Sequence, residues 1–142
     1  MSIKEDLHTY ITGKAAISAL IGSRFYPMLK PQEGAFPAAT YQFISTDNVQ
    51  QLDGGAGIHN AIVDIDCMAY TLSQADTLHE AIRNALDGYE NKDMGSTFIN
   101  GCRLETIEDE ILTNSEKSQR NIYRITMTFR IHYQITKPNN LN

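Results

Sequence analysis

The sequence contains few cysteines, no long apolar run and a deficit of positive charge. Its two cysteines, Cys67 and Cys102, have no Cys or His at metal-ligand spacing, so we expect reduced core thiols in a cytosolic protein. No stretch approaches the roughly 18 apolar residues of a membrane span, and the opening residues carry no apolar run typical of a signal peptide. The net charge of −5 disfavours binding nucleic acid by bulk electrostatics, because such binding needs Lys and Arg to displace counterions.

Patterns typical of catalysis are also missing. No Gly-x-Ser-x-Gly or Cys–His signature is present, and no Lys follows the glycines of residues 54–57 as a phosphate loop would require. The histidines are scattered over predicted helix, loop and strand: His8, His59, His79 and His132. His79 has no second histidine at zinc-protease spacing, so we expect it on a solvated helix flank. We predict no enzyme, with no catalytic residue, no cofactor site and no metal site.

The strongest pattern in the sequence is a long alternation in residues 121–136. From Tyr123 to Ile135 every second residue is apolar or aromatic, which predicts a strand with one apolar and one polar face. The polar positions include Arg124, Thr126, Thr128, Arg130 and His132. An apolar face of this length needs another layer to cover it.

Three other segments have strand patterns, and a fourth is short. Residues 38–46, 58–70 and 96–112 alternate, the last with Gly101 as a bulge and with Phe98, Cys102 and Leu104 on one face. Residues 24–28 predict an edge segment, because Pro27 has no amide for a central ladder.

Two regions predict helices. Ser2 and Glu5 form a capping box at the start of residues 2–21, which we interpret as one broken helix or two short ones around Gly13. Ser73 is the predicted cap of the main helix, whose apolar stripe is the expected cover for the last strand: Ala75, Leu78, Ile82, Ala85, Leu86 and Tyr89.

The order α, short β, β, β, α, β, β predicts an α+β fold, with an antiparallel sheet and helices packed on one face. We expect a single domain over residues 1–142 with a loose tail at about residues 137–142. Two features stay open. The glycine-bearing segment 47–57 is either a hairpin connection or a loop for a partner. Asp64 and Asp66 either face solvent or form a metal or acid–base pair.

The order of these features resembles the tail-completion, or head–tail joining, family of long-tailed bacteriophages and prophages, which is similar to tail terminators. The resemblance covers roughly residues 6–133. It rests on these segments: Ala19-Leu20-Ile21-Gly22, Arg24-Phe25-Tyr26-Pro27, Phe36-Pro37-Ala38, Tyr41-Gln42, Leu52-Asp53-Gly54, Val63-Asp64-Ile65-Asp66-Cys67, Ala85-Leu86-Asp87-Gly88, Gly101-Cys102-Arg103-Leu104-Glu105, Tyr123-Arg124 and Phe129-Arg130.

The resemblance implies a structural virion protein of the tail or neck, assembled in the host cytoplasm, and no enzyme. Its α+β subunits would form a hexameric ring that terminates the tail tube and contacts the tail tube protein and the head connector, or stopper. DNA would pass through the lumen without sequence-specific binding. The polar positions 124–132 named above become the candidate subunit or ring interface, either buried between neighbouring subunits or facing the lumen. The candidate partner loop is Gln51, Leu52, Asp53, Gly54 and Gly55.

Two alternatives remain open from the sequence. One is a tail-tube or baseplate component in place of the terminal ring. The other is a small metal- or ligand-binding α+β domain that uses Asp64 and Asp66.

Overall fold

The computed structural model describes residues 2–31, 34–49, 58–112 and 121–134. Within these ranges three helices accompany six strands. The helices are α1 (Ile3–Thr12), α2 (Ala15–Ile21) and α3 (Leu72–Leu86). The strands are β1 (Phe25–Pro27), β2 (Ala38–Val49), β3 (Ile58–Ala69), β4 (Lys92–Met94), β5 (Thr97–Leu112) and β6 (Ile122–Gln134). They form one sheet in the order β1-β2-β3-β6-β5-β4, and the predicted α+β class is confirmed.

The sheet is antiparallel, as predicted, except at one edge. There β1 pairs with β2 in parallel, with Phe25 opposite Ala39 and Pro27 opposite Tyr41. Met28, whose φ is 68°, follows β1 directly, and the crossover to β2 lies between Pro27 and Ala38. A parallel pair needs such a crossover, which alternation in the sequence does not reveal. The predicted edge position of the Pro27 segment is confirmed.

The N-terminal region forms two short helices. Ser2 Oγ accepts a hydrogen bond from the Glu5 amide at 3.3 Å, and the Ser2 amide donates to Glu5 Oε1 at 2.9 Å, which confirms the capping box. Gly13 separates α1 from α2, and Gly22 ends α2 with a φ of 60°. That positive φ favours glycine, because a Cβ would strain the backbone there.

The main helix begins at a different cap from the predicted one. Thr71, not Ser73, is the N-cap, with extended backbone (φ −131°) and its Oγ1 accepting from the Gln74 amide at 3.2 Å. Ser73 already lies in the first turn, where its carbonyl accepts from Thr77 Oγ1 at 2.9 Å. Both residues can cap a helix, and the position where β3 ends decides between them.

The core lies between the helices and one face of the sheet. Met127 and Phe129 of β6 are fully buried there, and α3 contributes Leu78, Ile82 and Leu86. α1 and α2 pack on the same face through Leu7, Ile11, Ile17 and Ile21. The predicted cover of the last strand by the main helix is confirmed.

The long strand β5 contains two register shifts, one between Ile99 and Gly101 and one between Leu104 and Thr106. The first confirms the bulge predicted at Gly101. The prediction that Phe98 shares a face with Cys102 and Leu104 is wrong, because the inserted residue reverses the alternation. Ile99 is fully buried with Cys102, whereas Phe98 is only half-buried.

Two strand boundaries also differ from prediction. β2 continues to Val49, so residues 47–49, predicted as the start of a loop, pair with residues 58–60 of β3. Residues 92–94, predicted only as the end of the helix, form β4 against β5. The buried Asp6 carboxylate of α1 accepts hydrogen bonds from Ser96 Oγ and Thr97 Oγ1, which ties this hairpin to the first helix.

Both cysteines are free thiols in the core, as predicted. Cys67 and Cys102 are 0% and 2% exposed. Burial, and secondarily the charge of Asp87, raises the pKa of Cys102 to about 12. Burial likewise raises the pKa of Cys67. Both thiols are therefore protonated and weakly reactive near neutral pH.

Candidate assembly surface

The face of the sheet opposite the helices, which we call the bare face, carries no helix among the described residues. The five polar residues predicted from β6 lie on it together, and each is half-buried: Arg124, Thr126, Thr128, Arg130 and His132. The residues between them point into the core, since Ile125, Met127, Phe129 and Ile131 are at most 2% exposed. The structure therefore places these five side chains in one row along a central strand.

Two threonines of this row bind the carboxylates of β3. Thr126 Oγ1 donates to Asp66 Oδ1 at 2.6 Å, and Thr128 Oγ1 donates to Asp64 Oδ1 at 2.7 Å. Each threonine lies directly opposite its aspartate in the register. A hydroxyl that donates to a carboxylate makes a charge-assisted bond, which is stronger than a neutral one. Strands β3 and β6 are therefore linked on this face by side chains as well as by the backbone.

The two arginines of the row bind glutamates of β5, the strand that flanks β6 on the side away from β3. Arg130 Nε donates to Glu105 Oε2 at 2.8 Å, and Arg124 donates to Glu110 Oε1. The side chains of the Arg130 pair are 35% and 38% exposed, so solvent screens the pair and it contributes little to stability. The charges of the row are balanced by neighbours within the subunit.

The aspartate pair does not present a metal site in the described part of the chain. No group of three or more His, Cys, Asp or Glu side chains is arranged there to hold a metal ion. Asp64 and Asp66 line an open depression of about 600 Å³ together with Glu108, Glu110 and Arg124. Both carboxylates already accept hydrogen bonds from threonines, which is sufficient reason for their position on this face.

One end of the row is more open. His132 lies opposite Asn60 of β3 and Gly101 of β5. A Cβ added at Gly101 would meet no atom within 4 Å, so space remains beside the imidazole. Gly101 therefore leaves open space on the bare face at this end of the row.

The predicted partner loop lies outside the described residues. Gln51, Leu52, Asp53, Gly54 and Gly55 fall between β2 and β3, whose last described pair is Val49 with Ile58. The predicted loose tail and the polar segment 113–120 also lie outside them.

One predicted surface residue is buried. His79 is 7% exposed, so the prediction of a solvated helix flank is wrong. Its Nδ1 lies 3.2 Å from the Asp76 carbonyl oxygen, whereas its Nε2 is buried without a hydrogen-bond partner. His79 follows Leu78 on α3, and both side chains are buried in the folded subunit.

Two surfaces were not singled out by the sequence. One is the distal part of β5, where Ile107 and Ile111 are 40% and 52% exposed beside acidic residues. The other is a crevice between the N-terminal helices and the end of α3, lined by Tyr10, Tyr89, Lys14 and Lys92 among others. The acidic run 108–110 was visible in the sequence, but the exposure of its isoleucines depends on which strands lie beside β5.

The fold is that of a protein from a phage-like virion. It matches a chain of the "Virion of native gene transfer agent (GTA) particle" with a TM-score of 0.64 and 16% identity, over 94% of this chain and 95% of that chain. No curated protein sequence matches the chain.

Residues 5–134 match the family described as Tail completion protein gp17. This range is most of the chain, so the protein belongs to that family, as the resemblance implied. It is a structural protein of the tail of phage-like virions. In the described ranges, no helix has the length and apolar character needed to cross a membrane.

Proposed function

We propose that this protein is the subunit of a hexameric ring at the head-proximal end of the tail. The ring terminates the tail tube and joins it to the head connector, and DNA passes through its lumen. Membership of the tail-completion family supports this place in the virion. The bare face of the sheet is the observation that supports a role in assembly.

The bare face has the properties expected of a surface that another subunit covers. Its threonines already donate hydrogen bonds to its aspartates, and Arg124 and Arg130 pair with glutamates. Burying an unpaired charge costs several kcal/mol, whereas a paired and hydrogen-bonded one costs less. Polar side chains on a regular strand also keep the surface soluble before the ring forms.

The charge of the chain fits passage of DNA without retention. A net charge of −5 repels phosphate groups, so DNA in the lumen would slide and would not adhere. The proposal needs no base-specific contact.

The loop Gln51–Gly55 is the proposed contact to the next ring. The pairing of β2 with β3 continues to Val49 and Ile58, so the loop starts from the end of an ordered hairpin. Deleting residues 51–57 should abolish head–tail joining but leave ring formation intact. Normal joining by the deletion variant would contradict this part of the proposal.

Ring formation can be tested by native mass spectrometry and light scattering, with and without tail tube. Thr128→Arg puts a long charged side chain on the bare face and should prevent assembly without unfolding the subunit. Thr77→Arg adds the same side chain on an exposed position of α3 and serves as the control. A wild-type protein that stays monomeric even with tail tube would contradict the ring.

Electron microscopy of particles that lack the protein distinguishes joining from other tail roles. Full heads with separate tails, or abnormally long tails, are expected for the terminal ring. Particles with no tails would instead indicate a tail-tube component.

A further inference from the structure

The distal part of β5, residues 106–112, forms with β6 a ribbon that we call the acidic ribbon. β4 pairs only with residues 97–99, so no described strand lies beside the outer edge of the ribbon. Ile107, Asp109 and Ile111 lie opposite Met127, Ile125 and Tyr123 in the register. They therefore share the helix side of the sheet, but all three are exposed there. The ribbon offers two isoleucines about 13 Å apart with an aspartate between them.

A crevice at the C-terminal end of α3 carries lysines where the ribbon carries acidic residues, and we call it the tyrosine crevice. The rings of Tyr10 and Tyr89 meet edge to face, with centroids 5.1 Å apart. Lys14 Nζ lies 4.7 Å from the Tyr10 centroid and Lys92 Nζ 4.4 Å from the Tyr89 centroid. Ile17, Ala81 and Ala85 complete an opening of about 410 Å³. The crevice thus combines an apolar wall with two ammonium groups.

The two lysines are available to an external anion. No ion pair among the described residues involves Lys14 or Lys92. The tyrosine hydroxyls donate to the carbonyl oxygens of Ala85 and Asp93, so the rings are held in place. The carboxylate in the lining, Asp87, accepts a hydrogen bond from the Leu104 amide at 3.0 Å.

The ribbon and the crevice of one chain cannot reach each other. Lys92 lies opposite Ile99 in the register, and Asp109 is ten residues further along the same strand. At about 3.3 Å per residue the two are roughly 30 Å apart. Any contact between these surfaces must therefore join different molecules.

We propose that the acidic ribbon of one subunit docks into the tyrosine crevice of the next copy of this chain. Ile107 and Ile111 then pack against the apolar wall, and Asp109 meets Lys14 and Lys92. The contact joins two different patches, so its repetition is head-to-tail and closes into a ring when the rotation allows. The inference rests on the proposed ring and assigns it a specific subunit contact in addition to the bare face.

Charge reversal on each side tests the contact in the full-length protein. Lys14→Glu with Lys92→Glu, and separately Asp109→Lys, should each raise the protein concentration needed for half-assembly by about ten-fold or more, because like charges then face each other. Native mass spectrometry and light scattering measure that concentration. The variant carrying all three changes restores opposite charges and should return to within about three-fold of wild type.

Two controls separate a local contact from a general charge effect. Lys4→Glu makes the same change in charge as each single lysine reversal, and Glu80→Lys the same change as Asp109→Lys. Both lie at exposed positions outside the two surfaces and should leave assembly unchanged. Thermal unfolding of the Asp109, Lys4 and Glu80 variants should match wild type, since these side chains are exposed. The Lys14 and Lys92 reversals should each lower the unfolding temperature slightly, because they remove the contacts with the tyrosine rings.

A cross-link provides a second measurement. With Asp109→Cys and Lys92→Cys in one chain, a short bismaleimide should link subunits into a ladder that ends at the ring. Cys67 and Cys102 are buried and stay out of the reaction. Loss of the ladder in either single variant confirms the pair.

The results distinguish failure of the ribbon–crevice contact from failure of the proposed ring. If wild type assembles but the reversals have no effect and no ladder forms, the contact is wrong and the proposed ring stands. If the reversals leave the ring intact but block attachment to tail tube or connector, the ribbon docks on another virion protein and the second-copy assignment is wrong. If wild type never assembles, both proposals fall.

Discussion

Thr128 and Phe129 are neighbours on β6 and lie on opposite faces of the sheet. Phe129 is fully buried in the core beneath the helices, whereas Thr128 is half-buried and donates its hydroxyl to Asp64. One face therefore supplies the apolar burial that drives folding. The other face contributes hydrogen bonds of about 1 kcal/mol each.

The difference shows how one strand serves two purposes. Because side chains alternate along a strand, a change on the bare face need not disturb the core. Assembly properties can then vary while the fold is kept. Substitutions on the face that the helices cover should therefore cost much more stability than substitutions on the bare face.

Phe129→Ala should destabilise the subunit by about 3–5 kcal/mol, because it removes a buried ring and leaves a cavity. Urea unfolding at subunit concentrations too low for assembly measures the change. Thr128→Val, one residue away on the other face, is the matched control. Equal losses from the two substitutions would contradict the division between the faces.

Alkaline pH should lower the free energy of unfolding of the subunit through Cys102, which is buried on the helix side of the sheet. The folded pKa of this thiol is about 12 against an ordinary value of 9.0. Its contribution is fully present below pH 9 and is lost as the pH rises towards 12, because the unfolded chain ionises first. About 2–3 kcal/mol should disappear between pH 9 and pH 11 at about 1.4 kcal/mol per pH unit.

Cys102→Ala is the control for this effect, because it removes the thiol and leaves the other ionising groups in place. Urea unfolding across the pH range should show a smaller loss for the variant than for wild type. Parallel curves for the two proteins would contradict the assignment to Cys102.

Thr128→Val should cost about 1 kcal/mol, since it removes the hydrogen bond to Asp64 and keeps the side-chain shape. A double-mutant cycle with Asp64→Ala, followed by urea unfolding, isolates the coupling between the two side chains. A coupling free energy near zero would mean that water replaces the threonine without loss.

Arg130→Gln should cost less than about 1 kcal/mol, because the ion pair with Glu105 is screened by solvent. The coupling measured with Glu105→Gln should decrease as salt is raised. A large, salt-independent coupling would show that this part of the bare face is more enclosed than its exposure indicates.

The predictions from sequence that were confirmed depend on local periodicity. The alternation of β6, the strand pattern of β3 and the capping box of α1 each follow from side-chain direction or from a hydrogen bond within a few residues. The five polar residues of the bare face were predicted together for the same reason. Their role between subunits stays a prediction.

The failures come from interactions distant in sequence. The parallel pairing of β1 with β2 depends on the crossover between Pro27 and Ala38 and not on alternation within either strand. The bulge before Gly101 reverses the alternation, so Phe98 and Cys102 lie on different faces. His79 on α3 is buried in the folded subunit, although a helix flank was predicted for it. Gly101 marked the bulge in the sequence but not its effect on the alternation, and the parallel pairing of β1 and the burial of His79 leave no local pattern.

Local sequence was enough to assign the main strands and helices and the residues of β6 that face the core, because these depend on periods of two and 3.6 residues. The neighbours of each strand became known only from the folded chain. Among them are the pairs that join Thr126 and Thr128 to Asp66 and Asp64, and the edge along the far part of β5 where no described strand pairs. Pairing between distant segments is set by the packing of the whole core, and alternation within one strand carries no information about its partner.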